Sequence, residues 1–318
     1  MLDLTTIILT YNEELHIRRC LENVCTFSKK VYVIDSPSTD RTVEICREFP
    51  NVEVVVHKYP GNQAAQFNWA LDNCKIDTAW IMRVDADEYC EPELIAEMSE
   101  KLPSLPNDVS AVVVPIGREF MGRRLRHGIV NGISLTRLLR PGKVRYEANL
   151  MDEYMKVLDG GTVKFNHAIV DASRIPISTF IDKHNDYSSR EAAMLLDAEY
   201  QLRDLTGEMS KNGEMAKEVT SKRMQKVRYA KMPLFWRSLG YFFYRYFAKL
   251  GFLDGKEGFC WDFFQGLWYR TLVDAKVYQA RKWMKEEKME IQKDGALSSN
   301  DKEKIKRYIA ENWKINMQ

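Results

Sequence analysis

The sequence predicts an α/β fold followed by a helical C-terminal region, on three observations. Short apolar runs alternate with helix-patterned stretches up to about residue 100. Hairpin-like strands punctuated by Gly and Pro follow between about 107 and 170, and beyond 176 the pattern is helical almost to the end. The expected division is an α/β domain over 1–175 and a helical region over 176–318.

Leu4–Thr10 reads as the first strand, and Glu13 to about Cys25 as a helix with His16, Arg19 and Glu22 on its wet side. Lys30–Ile34 is the second strand, and Thr39–Phe49 a helix with Ser38, Thr39 and Asp40 as cap candidates. Val52–His57, the helix Asn62–Asn73 and the strand Ala79–Val84 complete the alternation. Such repetition predicts a parallel sheet covered on both faces, with ligands beyond the carboxyl ends of its strands. The polar loops Tyr11–Glu13, Asp35–Arg41 and Asp85–Glu88 should therefore emerge on one edge. Val109–Pro115, Ile133–Leu139 and Thr162–Val170 read as the hairpin-like strands, and the charged tail Lys285–Gln318 as a solvated helical appendage.

A hydrophobic content of 45 % with 29 % charged residues is that of an ordered globular chain. Lys+Arg 47 against Asp+Glu 45 leaves a net charge of +2, which argues against a nucleic-acid partner. The six cysteines show no C-x-x-C pair and no metal-finger spacing, so reduced, buried thiols in a cytoplasmic protein are expected. The first apolar run is bracketed by Asp3 and Asn12, which reads as a strand and not as a signal peptide. No window offers about 18 consecutive apolar residues, so any membrane contact is expected at the surface.

Asp85-x-Asp87 follows an apolar strand directly. Two carboxylates at alternate positions in a turn can present oxygens to one hard divalent cation that also bridges phosphate oxygens. The same pair can equally cap the next helix. Asp35, at the tip of the second strand, can accept from a base N–H or a ribose hydroxyl, while Ser38 or Asp40 serves as an N-cap.

Taken together, TTIILTYNE (Thr5–Glu13), DSPSTDRT (Asp35–Thr42), GNQAAQFNWAL (Gly61–Leu71) and WIMRVDADE (Trp80–Glu88) resemble the family 2 glycosyltransferases of the GT-A fold. The resemblance covers residues 1 to about 190 and implies a GT-A, Rossmann-like nucleotide-sugar-binding domain. It implies that Thr10, Tyr11, Glu13 and Asp35 hold the nucleotide, with Asn68, Arg83 and Asp85 joining the nucleotide-sugar set. It further implies that Asp85 and Asp87 serve Mg²⁺ or Mn²⁺ and the diphosphate, Asp87 being the more direct ligand. Ser36-Pro37 departs from the commoner Asp-Asp-Gly-Ser form and leaves the nucleobase open. Met151–Tyr154 resembles the segment carrying the base of the inverting enzymes, which makes Glu153 the choice and Asp152 the runner-up. Lys183 and His184 resemble elements of the subset acting in surface-polysaccharide assembly, and would contact the diphosphate. His167 is expected to be structural.

Pro233–Phe252 holds nine aromatics and three cations with no acid. Arg237, Tyr241, Arg245 and Lys249 recur every four residues and form one helical stripe. That pattern fits a membrane interface, with the cations among anionic headgroups and Trp236 and Phe243 on the apolar face; the alternative is a helix packed in the protein's own core.

The reading as a whole is a metal-dependent, inverting glycosyltransferase using a nucleoside-diphosphate sugar, with UDP as the expected nucleotide. It would move a hexosyl or N-acetylhexosaminyl group to a saccharide or polyprenyl-linked saccharide at the cytoplasmic membrane surface, in polysaccharide or lipopolysaccharide assembly. Two rivals remain. A nucleotidyltransferase would need a Gly-rich basic loop after the first strand, where Thr10–Glu13 stands. An inactive carbohydrate- or membrane-binding scaffold would have no use for intact Asp85, Asp87 and Glu153.

Overall fold

The computed structural model describes residues 1–130, 132–146, 155–202, 232–290 and 297–317. The chain divides into two compact units, Met1–Ile175 and Pro176–Gln318.

In the first unit, β1 (Leu2–Thr10), β2 (Ser28–Asp35), β3 (Val52–Val56) and β4 (Trp80–Asp85) run parallel in the order β3-β2-β1-β4. β1 is buried on both faces, as its nearly unbroken apolar run requires. Its Thr5 and Thr6 are fully buried because their hydroxyls pair with Thr78 (2.7 Å) and Ser28 (2.6 Å). Leu4 and Ile8 face one core layer with α1 (Ile17–Val24), α2 (Thr42–Cys46) and α4 (Pro92–Lys101). Ile7 faces the other layer, with α3 (Gln63–Asn73). α3 starts where the Asn62 side chain accepts from Ala65 N (2.7 Å).

Beyond β4 the sheet ceases to be parallel. β8 (Ser134–Leu139) runs antiparallel to both β4 and β6 (Val109–Phe120), so β6 points the same way as β4. β7 (Arg123–Leu125) folds back on β6, and β5 (Glu88–Cys90) closes the edge against β12 (Ile169–Asp171). The stretch expected as one strand, Thr162–Val170, is two: β11 (Gly161–Lys164) and β12, both parallel to β6 and therefore no hairpin partners of it. The Glu97 carboxylate holds the break by accepting from the backbone N–H groups of Asn166 and His167 (3.0 and 3.1 Å). β9 (Val144–Tyr146) and β10 (Met155–Val157) form a separate ribbon.

Two helices are shorter than their patterns. α1 starts at Ile17 because residues 10–14 are laced to the loop after β2, and α2 starts at Thr42, where Asp40 accepts from Thr42 N (2.9 Å). His16 and Arg19 do not lie on a wet face. His16 is 3 % exposed, and Arg19 reaches behind the Asp85–Asp87 turn.

The second unit is helical: α5 (Ile177–Tyr200), α6 (Trp236–Phe243), α7 (Gly255–Trp261), α8 (Tyr269–Glu286) and α9 (Ser299–Trp313). Tyr244–Ala248 and Asp262–Trp268 are π-helical stretches. The tail is not a solvated appendage. Ile305, Tyr308 and Ile309 of α9 are buried with Val273, Val277 and Met284 of α8, and Trp283 stacks on Tyr308 with 4.5 Å between rings. Among the described residues no helix is long and apolar enough to cross a membrane.

All six cysteines are free, three of them fully buried. Burial pushes the Cys46 thiol up to about 12, so it stays protonated and inert at neutral pH.

Candidate active site

The loops after β1, β2 and β4 meet because their strands are parallel and in register, with Thr10 beside Asp35 and Leu9 beside Asp85. Thr10 donates to Asp35 Oδ1 (2.9 Å), and Ser38 donates to the same carboxylate through N (2.9 Å) and Oγ (2.6 Å). At 1 % exposure, Asp35 organises this loop from within, while Tyr11, 62 % exposed, stands at its rim. Asn12, at φ 54°, binds Thr39 N through its side chain (2.8 Å) and Ser38 Oγ through its N–H (2.9 Å). Glu13 N donates to Thr42 Oγ1 (2.7 Å).

His16 was not among the residues selected from sequence. Its Nε2 accepts from Arg174 N (2.9 Å), so the ring proton sits on Nδ1 and is donated to Glu13 Oε2 (2.7 Å). The pair fixes Glu13 on the acidic side of the site.

Asp85 and Asp87 differ sharply. Arg83 Nε lies 3.2 Å from Asp85 Oδ1 and Arg137 Nη2 lies 3.3 Å from Oδ2. Burial alone would push this carboxyl up, but the two guanidinium groups bring it down to about 2. Arg137 also pairs with buried Glu88, whose other oxygen accepts from Asp85 N (2.9 Å). With both oxygens on arginines, the charge of Asp85 is already compensated. Asp87 has no such partner among the described residues. Burial, followed by the like charges of Asp171, Asp85 and Glu13, pushes it up to about 7. A bare carboxylate among carboxylates is where a divalent cation gains most. Among the described residues no three ligating side chains form a ready metal cage.

Arg83 also donates to Gln63 Oε1 (2.7 Å) and lies over the Tyr146 ring at 4.8 Å. The Asn68 side chain donates to Tyr146 O (2.9 Å) and accepts from Tyr146 N (3.0 Å), so it docks β9. Arg137, Glu88, Arg19 and Asp171 escaped the sequence reading. An arginine inside the apolar run Leu135–Leu139 was the one available signal, since a buried cation demands a carboxylate.

Asp152 and Glu153 lie outside the described residues. In the helical unit, Lys183 is exposed with its ammonium 5.9 Å from the Tyr187 ring centre. His184 stacks on Phe180 at 3.9 Å, and its nitrogens are taken by Phe180 O (2.8 Å) and Gln265 (2.6 Å), which makes it a packing residue of that unit.

Residues 5–162 match the family model described as Glycosyl transferase family 2. The chain belongs to that family. The fold is accordingly GT-A, with β3-β2-β1-β4 as its parallel half. This glycosyltransferase-family chain is 27 % identical over 188 residues to the prophage-derived glycosyltransferase SunS of Bacillus subtilis, covering 58 % of this chain and 40 % of that protein. An uncharacterized glycosyltransferase of Rickettsia bellii is 38 % identical over 95 residues, 30 % of this chain and 31 % of its own. The match thus spans well under half the length of these relatives. Among solved structures, the mannosyltransferase PcManGT of Pyrobaculum calidifontis, in complex with GDP-Man and Mn²⁺, has a TM-score of 0.48 at 15 % identity, with 87 % of each chain covered. S. aureus TarS residues 1–349 have a TM-score of 0.41 at 13 % identity, covering 92 % of this chain and 95 % of that one.

The helical unit corrects the basic stripe. Arg237 is 3 % exposed and pairs with Asp274 through Nε (2.8 Å); Arg245 is 7 % exposed and pairs with Asp262 (2.7 Å). Neither can meet a headgroup, because each is neutralised inside the fold. Of the stripe's cations Lys249 alone is exposed, and the aromatics Trp236 (73 %), Phe243 (50 %) and Phe247 (53 %) are exposed as well.

Proposed function

We propose that this chain transfers a hexosyl or N-acetylhexosaminyl group from a nucleoside-diphosphate donor to an acceptor hydroxyl, with inversion and with a divalent cation on Asp87. What carries the reading is Asp87: an uncompensated carboxylate at the shared edge of β1, β2 and β4, in a chain of this family. The Thr10–Glu13 and Asp35–Thr42 loops frame the nucleotide from below, with Tyr11 at the rim as a stacking surface. Asp85, clamped between Arg83 and Arg137, keeps both guanidinium groups oriented where the diphosphate must lie. The cation, when bound, neutralises charge that builds on the departing diphosphate. Thermal shift with UDP, and with other nucleoside diphosphates, with and without Mn²⁺ tests the reading. A midpoint indifferent to every pair would overturn it, and hydrolysis of a UDP-sugar by the purified protein would separate enzyme from inactive scaffold.

Glu153 is proposed as the base that takes the acceptor's proton. Glu153→Gln should leave donor affinity unchanged and lower turnover at least about a hundredfold, the scale of a lost general base. Turnover near that of the wild type would pass the role to Asp152.

The acceptor is proposed to be a saccharide, carried on a lipid at a membrane surface. The exposed aromatics of α6 and the turn after it support this, with Phe243 stacked on Phe247 at 5.6 Å and Tyr246 packed on Phe259 at 5.6 Å. Because Arg237 and Arg245 are neutralised internally, such binding should rest on aromatic insertion and hardly respond to salt. Liposome sedimentation should change little between low and high ionic strength, whereas Trp236→Ala with Phe247→Ala should release the protein. Salt-sensitive binding that survives the double substitution would refute the aromatic route.

A further inference from the structure

The chemistry proposed for Asp87 needs its carboxylate held in place, yet among the described residues that carboxylate has no hydrogen-bonding partner. Its position is set through the backbone. Asp87 O accepts from Ala172 N (3.0 Å) and from Arg19 Nη2 (2.8 Å), and the same Nη2 donates to Ala172 O (2.7 Å). Arg19 is on α1, Asp87 in the turn between β4 and β5, and Ala172 just past β12. Asp171 lies opposite Glu88 in the β5–β12 ladder, so the Asp87–Ala172 bond is that ladder's open end. One cationic nitrogen bolts the end shut. The guanidinium is 5.5 Å from the Tyr89 ring centre, while its Nε and Nη1 are buried without partners.

We infer that Arg19 is a positioning residue for the cation: it holds the backbone of Asp87 against repulsion by Asp171, Asp85 and Glu13, so that the carboxylate is set before the cation arrives. The inference rests on the metal reading of Asp87. Groups that orient a metal ligand from behind typically change metal affinity about 10–100-fold when removed. Without Arg19, Ala172 O loses its donor and the ladder end frays, letting the carboxylate swing into solvent where its repulsion is relieved. A single nitrogen does the bridging, so a lysine ammonium, with three donors on a flexible stem, can take over the role.

The test titrates Mn²⁺ into the full chain with saturating UDP and reads free Mn²⁺ by electron paramagnetic resonance. Arg19→Met should weaken Mn²⁺ binding by about 10–100-fold at temperatures where circular dichroism shows it folded, and Arg19→Lys should restore most of the loss. UDP affinity without metal, which a general loss of structure would lower, should stay unchanged in both. If Arg19→Met does not fold, Arg19→Gln replaces it with the same expectation. Wild-type affinity in the Met or Gln variant, or a Lys variant as weak as Met, overturns the inference. Mn²⁺ binding that is absent from the wild type, or that ignores Asp87→Asn, overturns the metal reading and this inference with it. Binding that needs Asp87 but ignores Arg19 overturns the inference alone.

Discussion

Asp87→Asn is expected to abolish Mn²⁺-dependent binding of UDP while leaving the fold intact, or even firmer, at neutral pH. The carboxylate supports no core and faces Asp171, Asp85 and Glu13, so removing its charge relieves repulsion. The sign of the pH effect follows. A carboxyl raised to about 7 stabilises the metal-free fold fully at pH values below its ordinary 3.8, and that contribution is lost as pH rises through about 7. The wild type should therefore lose stability across this window relative to Asp87→Asn. Metal binding runs the other way, since the cation must displace the proton: Mn²⁺ affinity should climb up to pH about 7 and level off above it. Urea melts of both proteins at several pH values, with Mn²⁺ titrations alongside, measure the two slopes. A variant that still binds UDP with the wild-type response to Mn²⁺ would remove Asp87 from the metal site.

Arg237→Met should destabilise the helical unit by about 3–5 kcal/mol, the scale for leaving one member of a buried ion pair alone. Asp274 is 1 % exposed and accepts from Arg237 and from Phe235 N (2.7 Å), the latter holding Phe235 at φ 67° at the start of α6. With Arg237 gone, an unpaired charge remains in the core, and the strained residue before the helix loses its fixed anchor. Urea unfolding followed by tryptophan fluorescence would register the loss; an unchanged midpoint would mean that water reaches Asp274. A charge reversal at Arg237 or Arg245, which the surface-stripe reading treats as harmless to the fold, should unfold this unit. Loss of liposome binding in such a variant would say nothing about headgroups.

Period and punctuation carried the order of elements and the placing of the polar loops at one edge. Parallel strands in register, once recognised from Leu4–Thr10, Lys30–Ile34 and Ala79–Val84, put Thr10, Asp35 and Asp85 together by geometry alone. The family resemblance, too, rested on local segments and so was available to a reader of sequence. What it could not separate was Asp85 from Asp87, two residues of one type two positions apart. Their difference comes from Arg137, more than fifty residues downstream on a strand that turns antiparallel beside β4. The same limit misplaced Arg237 and Arg245. A cation every fourth residue looks identical from the sequence whether water or a buried carboxylate faces it, and Asp274 and Asp262 come from helices whose packing no local pattern encodes. Strand pattern and local motifs were enough to give the sheet's parallel half, its polar edge and the family. Which charges on that edge are cancelled, and which is left bare, came from the packed fold, because charge compensation depends on distance in space and the compensating groups here lie far away along the chain.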